Sequence, residues 1–298
     1  MLHLIYKTIL SFILLLVSLY GYAQDIDVKH TGKDCNYCKN GEHTNETPYN
    51  INFKKEVPYF AAGIGLLTSG LILRSVNEEA PFSNEELNQL DPKKVNRFDR
   101  VAIYNNNEES KEISDVLLYS GLALPLFFFS NHHTSKDFSP LGIMAIEVFT
   151  ITSGLTMNSK FIFNRTRPLA YNPNFSEEAR TASNSKLSFF SGHTAQTAAF
   201  SIFMAKVIHD YHPNMKKGVE IGIWTFAITI PAAMAYLRVD AGKHFPTDVM
   251  VGYAVGASVG FLVPHLHKKK DHDHDSNLSI APFQYGNATG LSLTWKIK

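Results

Sequence analysis

The chain is short of cysteine and of any charge excess, and each shortage removes a class of protein. Two cysteines in 298 residues cannot form a disulfide framework. They sit close together as Cys35-x-x-Cys38 with no second pair to complete a zinc site. Lys39 stands where a haem-attachment motif needs histidine. In an exported segment a local disulfide is the expectation. Twenty-eight basic residues against 27 acidic ones leave a net charge of +1. That excludes nucleic-acid binding through a broad positive field. Charged residues reach only 18% against 45% hydrophobic ones. The mean hydropathy of -0.09 averages apolar blocks with polar connectors and leaves a membrane protein open.

The first apolar block, Leu2 to Tyr20, follows a weakly basic start and ends in Gly21-Tyr22-Ala23 before the chain turns polar. It reads as a secretory signal peptide over residues 1–23, with an uncleaved anchor helix as the alternative. Residues 24–56 read as a polar, irregular leader. Six apolar segments follow: Pro58–Leu73, Ile113–Ser130, Pro140–Asn158, Thr194–His209, Val219–Leu237 and Val249–His265. Each approaches the roughly 20 residues that cross a bilayer core. Asp115, Glu147 and Lys206 fall inside them, and charges so placed face the protein interior or a wet cavity. Gly and Ala recur, as in GYAVGASVGF, which suits close helix packing.

Between the apolar segments, Ser83-Asn84-Glu85-Glu86 resembles a capping box starting a short surface helix. The polar connector Leu169–Ser188 reads as a loop over a site. After the last segment, the run KKKDHDHDS reads as a charged, solvated hinge; His272 and His274 could hold a metal, but low complexity favours the hinge. The final GLSLTWKIK alternates apolar and polar residues, a strand pattern with Leu278–Ile280 as a hairpin partner across Gly286 and Asn287. The expected division is therefore a signal at 1–23, a leader at 24–56, a helical domain at 57–267, and a hinge with a β segment at 268–298. The expected fold is all-α, a membrane-associated bundle of about six helices with a small C-terminal β-hairpin-like appendage.

Three phrases carry the chemistry: KFIFNRTRP at Lys160–Pro168, FFSGHT at Phe189–Thr194, and RVDAGKHFPTD at Arg238–Asp248. A phosphoryl group holds charge on its oxygens throughout transfer, so its site needs several fixed donors. Arg167 and Arg238 suit this because a guanidinium binds two oxygens and stays charged, and Lys160 adds a point charge. Singly, each could be a membrane-end cation reaching the headgroups. Arg165 and Lys243, nearby, read as such cations. Ser191-Gly192-His193 marks a helix entry where backbone N–H groups approach an anion, with His193 placed to protonate a leaving oxygen. Ser-Gly is also an ordinary helix-entry turn, with the histidine as a cap. His244 and Asp248, four apart, can share a helical face, the carboxylate fixing the tautomer of a nucleophilic or basic imidazole. Capping of a helix start by Thr247 and Asp248 is the plainer alternative.

Lys-x6-Arg-Pro, Ser-Gly-His and Arg-x5-His-x3-Asp together resemble the type 2 phosphatidic acid phosphatase (PAP2) and vanadium haloperoxidase superfamily. The motif-bearing part runs from about Ile113 to His265. The resemblance implies an all-helical bundle and metal-independent catalysis with no cofactor. It implies that Lys160, Arg167 and Arg238 bind phosphate, completed by Ser191 and Gly192. His244 then attacks phosphorus to form a phosphohistidine, Asp248 orients it, and His193 protonates the leaving group. The chain departs from the family pattern at Phe190, where proline is usual, and at Leu237, where serine is usual. Losing that hydroxyl removes a contact of about 1 kcal/mol.

The implied function is a phosphatase acting on a lipid phosphate or polyprenyl pyrophosphate in a bacterial envelope. The alternatives are an exported acid phosphatase for small phosphomonoesters and a non-catalytic envelope protein with a vestigial pocket. Vanadate-dependent halide oxidation uses a similar cradle, but the apolar segments suit lipids better. Lys54, Lys55, Lys136, Lys216, Lys217 and Lys268–Lys270 mark the side opposite the motifs. The positive-inside rule then puts the site on the periplasmic face of the inner membrane. Six spans counted from a cleaved signal give the reverse, and Pro58–Leu73 is the segment expected not to span.

Overall fold

In the computed structural model, residues 38–39, 42–43, 47–77, 80–123, 138–269, 278–285 and 288–295 are described. The signal, Cys35 and the charged hinge beyond Lys269 lie outside them. The chain divides into two compact units, Met1–His267 and Lys268–Lys298.

The first unit is mostly helical. Its long helices are α1 (Phe53–Val76), α2 (Glu108–Ala123), α3 (Phe138–Phe163), α4 (Gly192–Tyr211), α5 (Lys217–Asp240) and α6 (Pro246–His267). All but α2 extend past both ends of the apolar run that announced them, because the backbone hydrogen-bond ladder continues through polar flanks until a cap stops it. Asn52 caps α1 by accepting from the Lys54 N–H. Asn164, at φ 41°, ends α3 in the left-handed conformation that asparagine tolerates. Pro246 opens α6 with its φ already helical.

Among the described residues, four stretches are long and apolar enough to cross a membrane: Glu56–Val76, Ser139–Tyr171, Lys217–Asp240 and Pro246–His267. The helix of Pro58–Leu73, the segment expected not to span, is among them by length and composition, with 24 residues once its polar ends are counted. Large apolar side chains on these helices are exposed, among them Ile64, Leu71, Ile228, Phe261 and Leu266.

Helix α4 is the buried centre of the unit, with Ala195, Ala198, Ala199, Phe203 and Val207 almost fully enclosed. Its tightest neighbour is α6. A Cβ on Gly256 or Gly260 would sit 2.0 or 2.1 Å from the carbonyl oxygens of Ala195 or Ala199, so only glycine permits this approach. Helices α1 and α3 run parallel, as Gly63 faces Thr150, Leu66 faces Gly154 and Ser69 bonds to Asn158. Short connections, 212–216 and 241–245, make α4, α5 and α6 successive antiparallel neighbours.

Residues 47–52, read as leader, join the core: Tyr49 is 1% exposed and donates to Asp210 at 3.1 Å. Ser83 and Glu86 form a complete capping box. The connector after α3 contains the short helices Pro168–Tyr171 and Glu177–Thr181 and a 3-10 turn at Ser183–Lys186. In the leader, β1 (Cys38–Lys39) pairs with β2 (Glu42–His43). In the second unit, β3 (Leu278–Tyr285) pairs antiparallel with β4 (Ala288–Trp295), Ile280 opposite Leu293.

Candidate active site

One end of the first unit gathers the end of α3, the start of α4, the end of α5 and the start of α6. Ser191 caps α4, its hydroxyl accepting from the Thr194 N–H at 3.4 Å and the Thr194 hydroxyl at 3.0 Å. The hydroxyl hydrogen of Ser191 stays available to a ligand. Its own N–H donates to the Asp248 carbonyl at 3.1 Å, which ties the start of α4 to α6. Gly192 packs on Thr156, whose methyl would lie 3.0 Å from an added Cβ.

Arg167 precedes Pro168 with its N–H donating to the Ser185 carbonyl at 2.8 Å, so the connector holds its backbone. Arg238, in the last turn of α5, donates from Nη1 to Ser114 Oγ at 3.0 Å and to Asp115 Oδ1 at 3.2 Å. Gly242, at φ 64°, then turns the chain toward His244; a Cβ there would meet the Asn105 carbonyl at 2.4 Å. His244 is 1% exposed. Three buried polar atoms here have no hydrogen-bond partner: Arg167 Nε, Arg238 Nε and His244 Nδ1. Buried donors left unpaired are costly, so a cluster of them marks a place for an anion.

The charges converge as well. Burial pushes the His244 pKa well down, and the charges of Arg167, Arg238, Lys160 and His193 add to the effect. His244 is thereby held neutral, the form a nucleophile needs. Burial and then Arg238 push the His193 pKa down to about 4, while its contact with Asp115 opposes them. His193 Nε2 lies 2.9 Å from Asp115 Oδ1. A bound phosphate would reverse the unfavourable field from the cations and raise both values. The structure thus brings Lys160, Arg167, Ser191, Gly192, His193, Arg238, His244 and Asp248 to one end of the bundle.

The His244–Asp248 contact differs from a direct orienting bond. His244 Nδ1 is 3.8 Å from Asp248 Oδ2, too far for a hydrogen bond. That oxygen is already taken by the Ser188 hydroxyl at 2.5 Å and the Phe245 N–H at 2.9 Å. Asp248 thus holds the turn that carries His244, through the Phe245 N–H, without bonding the imidazole.

Arg165 is not a headgroup cation. Its guanidinium donates to Asp99 Oδ2 at 2.7 Å, Asp248 Oδ1 at 2.5 Å and Thr247 Oγ1 at 2.8 Å, and lies 4.3 Å from the centre of the Phe245 ring. Asp99 in turn accepts from the Thr247 N–H and hydroxyl. Burial pushes the Asp99 carboxyl up, but bonds from Thr247, Arg165 and Asn96 outweigh it and leave the pKa lowered. Lys243 instead stacks 5.1 Å from the centre of the Phe175 ring. Sequence reasoning missed Asp99 and Ser188, which sit in polar stretches without a motif, and Ser114, at the start of an apolar segment. Asp115 was visible as a charge inside an apolar segment, though its partners were not.

Fold and site together define a helical bundle with a cationic, anion-accepting cradle at one end. The model of the PAP2 superfamily matches residues 140–272, somewhat under half of the chain. It is 27% identical over 145 residues to the lipid A 4'-phosphatase of Porphyromonas gingivalis, covering 48% of this chain and 57% of that protein. It is 35% identical over 79 residues to the decaprenylphosphoryl-5-phosphoribose phosphatase of Mycobacterium tuberculosis, covering 26% of this chain and 37% of that one. The chain therefore spans about half the length, or less, of these curated relatives. A crystal structure of a transmembrane PAP2 type phosphatidylglycerolphosphate phosphatase from Bacillus subtilis is 21% identical with a TM-score of 0.47, covering 72% of this chain and all of that one.

Proposed function

We propose that this protein is a membrane-embedded phosphatase that hydrolyses a lipid phosphate or polyprenyl pyrophosphate through a phosphohistidine. The observation that carries the reading is the cradle itself: Lys160, Arg167 and Arg238 around a neutral His244, with two arginine Nε atoms and the imidazole Nδ1 unpaired. The phosphoryl oxygens take the two arginine donors together with the Ser191 hydroxyl and the start of α4. His244 Nε2 attacks phosphorus while the ester P–O bond breaks. His193 gives a ring proton to the departing oxygen. Water then attacks the phosphohistidine, His193 takes a proton from that water, and inorganic phosphate leaves.

Two features favour a lipid over a small soluble ester. The four apolar stretches expose large aliphatic and aromatic side chains, a surface suited to acyl chains. The relatives named above carry lipid and polyprenyl-linked phosphates in their names. Lys216 and Lys217, at the far end of the bundle, support a cytoplasmic far end and a periplasmic site in a bacterial envelope.

Phosphate release from lipid A, short-chain phosphatidate and undecaprenyl pyrophosphate in detergent tests the reading. The wild type releases phosphate from at least one of them and His244→Ala from none. Equal release by both proteins from every substrate would end it. For sidedness, a cysteine placed at Glu178 should react with a membrane-impermeant thiol reagent in whole spheroplasts, and one at Lys217 only after lysis. The opposite pattern would invert the topology.

A further inference from the structure

At the other end of the bundle, three ionisable side chains from three helices meet. Glu56 lies in the first turn of α1, Glu147 in the first half of α3, and His267 ends α6. They are 4%, 1% and 4% exposed. On α3 the distance from Glu147 to Lys160 is roughly 20 Å at 1.5 Å per residue, so this cluster is separate from the phosphate cradle.

The His267 ring is oriented for ligation. Its Nδ1 lies 2.7 Å from the Val263 carbonyl, which can only accept, so Nδ1 holds the proton. In the neutral ring Nε2 is then a lone pair, and it faces Glu56 Oε2 at 2.9 Å and Glu147 Oε2 at 3.3 Å. Glu56 Oε1 and both oxygens of Glu147 are buried without a hydrogen-bond partner. An imidazolium would answer one carboxylate and leave the second buried and uncompensated. The carboxylate of Asp210 shows the contrast, with Tyr49 and Lys206 both donating to it.

A divalent cation supplies what none of the described side chains here does. Two carboxylates balance its charge, and one atom from each residue lies within 4.8 Å of the others. The two imidazole–carboxylate separations approach the edge of about 3.4 Å expected for a tetrahedron with bonds near 2.1 Å. An imidazole nitrogen beside carboxylates favours zinc, iron or manganese over calcium or magnesium. The bond from Nδ1 to a backbone carbonyl is the usual way such a ligand is held. We propose that Glu56, Glu147 and His267 form a divalent transition-metal site that pins the start of α1 to α3 and to the end of α6. Its role is structural, since the phosphoryl chemistry lies at the far end.

The test uses the full chain, purified in detergent with any affinity tag removed and no chelator. Metal analysis should find about one zinc, iron or manganese per wild-type chain and at least tenfold less in Glu147→Gln and His267→Gln. After stripping with a chelator, added Zn2+ should raise the unfolding temperature of the wild type and leave that of Glu147→Gln unchanged. If neither variant folds, Co2+ added to stripped wild type should give a visible d–d absorption that Zn2+ abolishes. His272→Ala/His274→Ala should retain the metal. A stripped wild type that binds neither Zn2+ nor Co2+ would overturn the proposal. So would metal that survives in Glu147→Gln, or metal that disappears with His272 and His274.

Discussion

Replacing Arg165 by methionine separates two readings of that residue sharply. As a headgroup cation it would be dispensable. In the structure it bonds to Asp99 and Asp248, both with fully buried side chains, and its own side chain is only 26% exposed. Removing one partner of a buried pair costs about 3–5 kcal/mol because the other charge is left uncompensated. Arg165 is partly solvated, so water can enter and the lower end, about 3 kcal/mol, is the better expectation. For a helical unit of this size that is roughly 6–12 °C in apparent unfolding temperature. The assay is thermal unfolding in detergent beside phosphate release, with Lys243→Met as the control. Lys243 stacks on Phe175, and its loss should change stability little. The loss of Arg165 should also reduce turnover, since Asp248 holds the turn bearing His244 through the Phe245 N–H. Unchanged stability and turnover in Arg165→Met would refute the argument that this guanidinium organises the site.

Three further outcomes follow from the same geometry. Gly256→Ala should destabilise the bundle and lower turnover, because its Cβ would sit 2.0 Å from the Ala195 carbonyl oxygen, whereas Gly222→Ala, with nothing within 4 Å, should leave turnover unchanged; unfolding curves and initial rates compare them. His193→Ala should lose about 10²–10⁴-fold on an alkyl phosphate and far less on p-nitrophenyl phosphate, whose leaving group needs no proton. Asp115 raises the His193 pKa, so Asp115→Asn should let it fall, His193 should lose its proton at lower pH, and the alkaline limb of kcat should move to lower pH; an unmoved limb in the pH–rate profile would show that Asp115 does not govern this acid.

The helices were legible because their apolar runs are long, and the phosphate-handling residues because three short phrases hold them at fixed spacing. Their ends were less legible. Lys217 and Asp240 are polar, yet both belong to α5, since a helix stops where its carbonyls find caps rather than where hydropathy falls. The support around the site was hardest to read. Asp99 reaches Arg165 and Thr247 from a connector 66 and 148 positions away, and no local pattern encodes such a pairing. Glu147 shows the intermediate case: a carboxylate in an apolar segment announces an interior partner, but only the fold brings Glu56 and His267 to it.

The central claim is that His244 becomes phosphorylated within the cationic cradle. Incubation with a ³²P-labelled lipid phosphate, followed by rapid quenching and peptide mapping, tests it most directly. The account predicts an acid-labile, base-stable label on the peptide containing His244 in the wild type and none in His244→Ala. The same label in His244→Ala, or a label on any other residue, would contradict it.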